Sequence, residues 1–420
     1  PLQKNSKLHG IRLAFHKKDI PEAIKASKVI IKLGYKVFFQ AMVTKNYSDL
    51  EFLSLIKDIK DLDIYAFYIV DSFGSMTLEE FQRYIMLADN NLNHNIAIGY
   101  HSHNNMQLAF SNAIDMCNLE VKRDIIIDSS IYGVGRGAGN LNTELIANYL
   151  NTTFSKSYDI LPLLEIIDEL LNSMMKKNSW GFSPAQFLSA SCNCHPNYAS
   201  YLVNKNTNHM VGIKKVLDKL PLEKKASFDK DLAEKIYMEY LLENRTPIKE
   251  DFKLDISKNI LLIASGTTVE KYKNIIKDKK SKDYTLIALN HKPTFECDYY
   301  FFSNQKRFDK SNDLVSSKKI IITSNILTNL DTLSVLNFSK LVFTNNKFIK
   351  NVAIVSINHL ILQGFDKVEI IGLDGYKVND KNYHYEETTV IQGNDELLIE
   401  NELIKEALSK LESKIVIEFL

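Results

Sequence analysis

A chain of 420 residues is too long for one ordinary hydrophobic core, so two or three domains are expected. An apolar share of 45% and a charged share of 25% are those of a globular protein, and a net charge of +1 gives no electrostatic case for a nucleic-acid or membrane partner. No apolar run approaches the roughly 18 residues of a membrane helix and no secretory signal opens the chain, so the reading is cytoplasmic.

Residues 1–150 alternate short apolar runs with amphipathic stretches. GIRLAF (10–15), KVFFQAMV (36–43), IYAFYIVDS (64–72), NIAIGYHSH (95–103) and DIIIDSSIYG (124–133) read as strands, each followed by a helical pattern. Thr77 stands where an N-cap should be, ahead of the third helix. Continuous apolar strands covered by helices imply a parallel sheet, either part of a (β/α)8 barrel or a doubly wound sheet. Over 151–250 the strand signal gives way to helices, which reads as a helical appendage domain. From 251 to 420 strand candidates return at 259–266, 284–290, 297–304, 318–325, 340–346, 367–375 and 414–420, the pattern of a separate Rossmann-like α/β domain. The Lys-rich run 277–283 reads as a solvated loop.

The four cysteines suggest no disulfide framework. Cys192 and Cys194 are one residue apart, too close for the usual zinc hook, and a reduced compartment is the simplest reading.

The chemistry concentrates in HSHNN (101–105). Side chains at i and i+2 share one face of a strand, so His101 and His103 project together at its C-terminal end. Two neutral imidazoles on one face are half of a divalent-ion site; they can equally end the strand by hydrogen-bonding to nearby loops.

Three segments carry a resemblance. HSHNNMQLAFSNAI (101–114), GVGRGAGNLNTELI (133–146) and IYAFYIVDSFGSMTLEEF (64–81) resemble, in order and spacing, the last strands of the HMG-CoA lyase-like metallolyases. That family includes isopropylmalate and homocitrate synthases and 4-hydroxy-2-oxovalerate aldolase. The glycine-rich turn and the helices after it look most like the aldolase branch.

The resemblance implies a TIM-barrel portion holding strands four to eight, with His101 and His103 as metal ligands. The metal would be Mn2+ or Mg2+, or else Zn2+ or Co2+. It implies an aldolase-type lyase that makes or breaks a carbon–carbon bond between pyruvate and an aldehyde, within a homo-oligomer. Acyl-CoA condensation is the alternative. Asp71, Ser72, Asn105 and Arg136 would lie toward the substrate, and Tyr198 would be the tyrosine placed over the active site.

The family's third metal ligand is an aspartate on strand one, which has no counterpart here. With Pro1 at the start, the sequence therefore reads as a piece of a longer chain. Gly135, Gly137 and Gly139 are expected to permit tight turns rather than to bind phosphate.

In the last domain NILLIASGTTVEKYKNII (259–276) is strand, glycine turn and helix, and its helix-start amides suit a phosphate. GLDGY (372–376) puts Asp374 at a strand end, in the usual crevice of such sheets. These segments resemble the sugar-nucleotide domains of bacterial sialyltransferases and flagellin-glycosylation proteins. The resemblance places Ser265, Gly266, Thr267 and Asp374 near a nucleotide and suggests a role in surface polysaccharide synthesis. It also allows a second reading, a sugar-nucleotide-binding or transferase protein with a degenerate barrel.

Overall fold

A computed structural model of the chain describes residue 3 and residues 7–177, 180–205, 209–280, 283–344, 346–376 and 394–420. It divides into two compact units, Pro1–Ser200 with Leu217–Lys230 and Tyr201–Val216 with Asp231–Leu420. The helices between 151 and 250 are shared between these two units; the sequence pattern alone suggests a domain of their own.

The first unit holds five strands, β1 (Gly10–Phe15), β2 (Lys36–Ala41), β3 (Ala66–Asp71), β4 (Ala97–Ser102) and β5 (Ile125–Ile127), in one sheet of order β1-β2-β3-β4-β5. Every pairing is parallel. Helices α1 (Ile20–Lys32), α2 (Asp49–Ile59), α3 (Leu78–Asn91), α4 (Ala109–Asn118) and α5 (Thr143–Phe154) follow the strands in turn. Ser48 and Thr77 start α2 and α3 with reciprocal capping boxes to Glu51 and Glu80, as the sequence predicts for Thr77.

Strand alternation gives the sheet two different faces. Val37, Phe39, Phe67, Ile69, Ile98 and Tyr100 pack into the large helix-side core. Ala66, Tyr68, Val70 and Ala97 form a second, smaller cluster with Phe38 and Ile126. His101 lies two and four residues beyond Gly99 and Ala97, so it continues this second face. Tyr68 lies flat on Gly99, where a Cβ would sit 2.5 Å from three of its ring carbons. Only glycine lets that ring lie there.

The sheet is also curled. Four spacings of about 4.8 Å would put the two outer strands of a flat sheet some 19 Å apart. Yet Arg12 on β1 reaches Asp128, just after β5, passing 5.7 Å from the Phe38 ring centre and 5.4 Å from that of Tyr68. A side chain can bridge opposite edges only across the concave face of a rolled sheet, the curvature of a barrel wall.

The second unit is a seven-stranded, wholly parallel sheet. Its strands are β6 (Asn259–Ile263), β7 (Tyr284–Leu289), β8 (Tyr299–Phe302), β9 (Ile320–Thr323), β10 (Ser334–Leu336), β13 (Lys367–Ile371) and β14 (Val416–Phe419). Between them β11 (Phe343–Thr344) and β12 (Lys347–Phe348) make a two-stranded antiparallel hairpin.

The strand expected at 340–346 is therefore only one arm of that hairpin, and β10 takes the sheet-edge place with no strand candidate in the sequence. The order is β10-β9-β8-β7-β6-β13-β14, so the winding reverses between β6 and β13. Ligands of doubly wound sheets bind at such a switch point. Part of the Lys-rich run is helical, Lys273–Lys280, and residues 281–282 lie outside the described residues.

No helix among the described residues is long and apolar enough to cross a membrane.

Candidate active site

β4 ends by placing His101 and His103 on the concave face, their ring centroids 5.7 Å apart and nearly perpendicular. His101 Nδ1 lies 3.0 Å from Asp128 Oδ2. Asp128 is also gripped by both terminal nitrogens of Arg12, with Nη2 2.7 Å from Oδ1, and Tyr68 donates its hydroxyl to Oδ1 at 3.3 Å. Burial alone would raise the Asp128 pKa, but the bonds from His101 and Arg12 outweigh it and hold the carboxyl below its usual range. Arg12, His101, Ser102, Asp128, Ser129 and Asn140 line a cavity beside the pair.

His103 is the more enclosed of the two. Burial first, then the neighbouring His101 and Arg136 charges, push its pKa down to about 4, so its ring is neutral at neutral pH. Its Nδ1 is buried and has no hydrogen-bond partner. A buried ring nitrogen without a partner fits a donor to a metal ion.

The two imidazoles thus fit as donors to a divalent ion. A third is not gathered beside them: among the described residues no group of three His, Cys, Asp or Glu side chains could hold a metal. The same holds for Cys192, Cys194 and His195; neither cysteine is in a disulfide, and Cys194 Sγ lies 3.3 Å from the Cys192 carbonyl.

The glycine-rich segment after β5 docks on the histidine pair. Asn104 donates its backbone N–H to the Gly139 carbonyl at 2.8 Å, and His103 pairs with Asn140 in an isolated antiparallel bridge. Gly133, Gly137 and Gly139 have φ of +64°, +67° and +84°, which favours glycine. Gly135 instead packs on Asn140, whose side-chain atoms would come within 2.9 Å of a Cβ. The expected turns are present at Gly137 and Gly139.

Three of the four residues expected toward the substrate spend their polar atoms on the chain itself. Asp71 is fully enclosed and accepts from the Ser75 and Met76 amides, both at 3.0 Å. Burial raises its pKa to about 6 against the pull of those amides. Ser72 Oγ accepts from Val43 N–H at 2.8 Å. Asn105 is a clamp, donating to the Phe73 carbonyl at 2.9 Å and accepting from Ala138 N–H at 2.8 Å.

Tyr198, expected over the active site, is buried. Its hydroxyl faces the Lys224 and Ser227 carbonyls at 2.9 and 3.0 Å and accepts from Asp229 N–H at 3.1 Å. Each of these bonds holds a loop shut. Arg136 is different. The residue as a whole is exposed although its guanidinium is partly enclosed, which lowers its pKa, and Nη1 donates to His195 Nε2 at 3.2 Å.

Arg12, Tyr68 and Asp128 are functional candidates that sequence reasoning missed. One signal was there: an arginine inside an apolar strand, at a position facing away from the helix-side core.

In the second unit Asp374 closes the turn after β6. It accepts from Thr268 N–H at 2.9 Å, from Thr267 Oγ1 at 3.1 Å and from Thr268 Oγ1. Gly266 has no room for a side chain, since a Cβ would sit 2.4 Å from the Gly372 carbonyl oxygen. The amide that the sequence offers to a phosphate is thus already taken by a carboxylate. A cavity at this switch point is lined by Arg245, Gly266, Arg307, Lys350, Asp374 and Glu400, among others.

Comparison with known proteins agrees with the family expected from the histidine segment: residues 6–168 match the model of the HMGL-like family. Curated relatives include a 4-hydroxy-2-oxovalerate aldolase from Pseudoalteromonas translucida, 26% identical over 171 residues, 40% of this chain and 49% of the relative. Another, from Thermomicrobium roseum, is 33% identical over 109 residues, 26% of this chain and 29% of the relative. A solved N-terminal domain of a proposed aldolase from Bacteroides vulgatus is 31% identical, with a TM-score of 0.43 over 46% of this chain and 63% of that one. The chain spans about half the length, or less, of the curated relatives named here.

Proposed function

We propose, from the HMGL-like match of residues 6–168, that the first unit belongs to a divalent-metal-dependent lyase of the pyruvate-aldolase type. The observation that carries the reading is the pair His101 and His103, side by side at the C-terminal end of a parallel strand, where sites of barrel folds collect. A divalent ion held by His101 and His103 would supply Lewis acidity toward a 2-oxo acid.

The chain's own residues hold and orient. His101 and His103 are the protein donors. Asp128 fixes the ring of His101, and the Asn104–Gly139 and Asn105–Ala138 bonds fix the chain immediately after the pair. Arg136, exposed beside His195, is the residue we assign to the carboxylate of the 2-oxo acid; a guanidinium matches a carboxylate in two-point geometry.

The full chain purified with Mn2+ or Zn2+ should retain metal after dialysis, as measured by elemental analysis. His101→Ala and His103→Ala should each lose it. Equal metal in wild type and both variants would end this assignment.

The cavity at the switch point of the second unit favours a second, independent activity, binding of a nucleotide or nucleotide sugar near Ser265, Gly266, Thr267 and Asp374. Because Asp374 already occupies the Thr268 amide, a ligand's hydroxyls suit that end better than its phosphate. Calorimetry with CMP- and UDP-linked sugars should show saturable binding, weakened about tenfold or more by Asp374→Ala through the lost charge-assisted bonds. No heat with either ligand class would remove the reading. A part in surface polysaccharide synthesis belongs to this proposal.

A further inference from the structure

We infer that Asp128, held by Arg12, is a positioning residue that keeps His101 in the tautomer with its proton on Nδ1, so that Nε2 presents the lone pair. The geometry assigns the carboxylate this role and denies it a place among the metal ligands. A carboxylate has about four acceptor sites on its two oxygens. In Asp128, Oδ1 takes Arg12 Nη2 at 2.7 Å and the Tyr68 hydroxyl at 3.3 Å, and Oδ2 takes Arg12 Nη1 and His101 Nδ1, the latter at 3.0 Å. Four donors fill four sites, and none is left for an ion.

Arg12 is half exposed, and two ring contacts hold its guanidinium beside Asp128. Its guanidinium lies over both Phe38 and Tyr68, and Tyr68 is itself seated on Gly99. A histidine with its second nitrogen tied to a carboxylate has its ring orientation and tautomer decided. The unit therefore uses an ion pair between the first and last strands of a curled sheet to set the chemistry of a ring on the strand between.

The claim about the tautomer stands on the hydrogen bonds alone; its use for metal binding rests on the function proposed above. Long-range proton–nitrogen NMR spectra of the full, metal-free chain labelled with 15N-histidine test it at pH 8, with His101 assigned by difference from His101→Ala. In the wild type His101 should show a protonated Nδ1 and a pyridine-like Nε2. In Asp128→Ala the proton should move to Nε2. A wild-type His101 with its proton on Nε2, or an Asp128→Ala spectrum unchanged at His101, would overturn the inference.

Should Asp128→Ala fail to fold, Asp128→Asn keeps the volume and an acceptor oxygen. There the Nδ1 proton should stay, while Zn2+ affinity by calorimetry falls about 10- to 100-fold through the lost charge. Unchanged Zn2+ affinity would overturn the role of the carboxylate. If the wild type carries the Nδ1 proton and yet binds no Zn2+, the metal reading fails and the positioning bond does not.

Discussion

Arg123→Ala is expected to lower the stability of the first unit by about 3–5 kcal/mol, the cost of breaking a buried ion pair from one side. The Arg123 side chain is wholly enclosed and its partner Asp89 nearly so, with Nε 2.8 Å from Asp89 Oδ1. The remaining guanidinium nitrogens end helix α3, donating to the carbonyls of Asp89, Leu92, Asn93 and Ile96. Asp89 keeps the Lys122 N–H and the Asn93 carbonyl keeps the Ile96 N–H, so removing the arginine costs the buried ion pair and the guanidinium bonds to the Asp89, Leu92 and Ile96 carbonyls.

Trp180 is the sole tryptophan of the chain, and it lies in the first unit with its indole N–H on the Tyr132 carbonyl at 2.8 Å. Its fluorescence in a urea titration therefore reports on this unit. A midpoint shift worth less than about 1 kcal/mol would show the pair to be dispensable. The double variant Asp89→Leu with Arg123→Met should recover part of the loss, since a buried pair exchanged for apolar side chains is often close to neutral.

Much of this unit could be read without a structure because its information is local. Alternation within β3 and β4 separates Phe67, Ile69, Ile98 and Tyr100 from Tyr68, Gly99 and His101, and it puts both histidines on one face. Thr77 with Glu80 marks a helix start for the same reason, since the residues that interact are three apart.

The partner of His101 is not local. Arg12 and Asp128 are 116 residues apart, and they meet only because the sheet is curled, a property of all five strands together. The hydrogen-bond partners of Asp71, Ser72, Asn105 and Tyr198 are not legible in the sequence for a related reason. A buried polar group must find a partner, and a loop amide serves as well as a substrate; which of the two it finds depends on where the loops fold back. In the second unit the glycine turn at Gly266 was recognisable, but the carboxylate that fills it arrives from 108 positions along, reckoned from Gly266 to Asp374.

The loop that packs on the histidine pair yields the second large expected effect. Gly139→Ala should destabilise the first unit by about 2–4 kcal/mol and abolish metal retention, whereas Gly137→Ala should be milder on both counts. Each glycine has positive φ, which costs an alanine roughly 1–2 kcal/mol. What differs is the neighbour. At Gly139 a Cβ would stand 2.1 Å from the Gly133 carbonyl oxygen, backbone that already accepts from Asn140 N–H and cannot yield without opening the loop. At Gly137 the nearest atoms are the side-chain oxygens of Asn105 and Gln186, at 2.8 and 3.0 Å; the Gln186 amide can shift, whereas Asn105 yields only by loosening its bonds to Phe73 and Ala138, a smaller disturbance than moving backbone. Opening at Gly139 also releases Asn104, the residue next to His103, and with it the ring spacing that a shared ion needs. Trp180 fluorescence in urea and metal content after dialysis separate the two variants. Equal losses in both, or retained metal in Gly139→Ala, would mean that His103 is held in place by β4 alone and that the glycine loop only covers it.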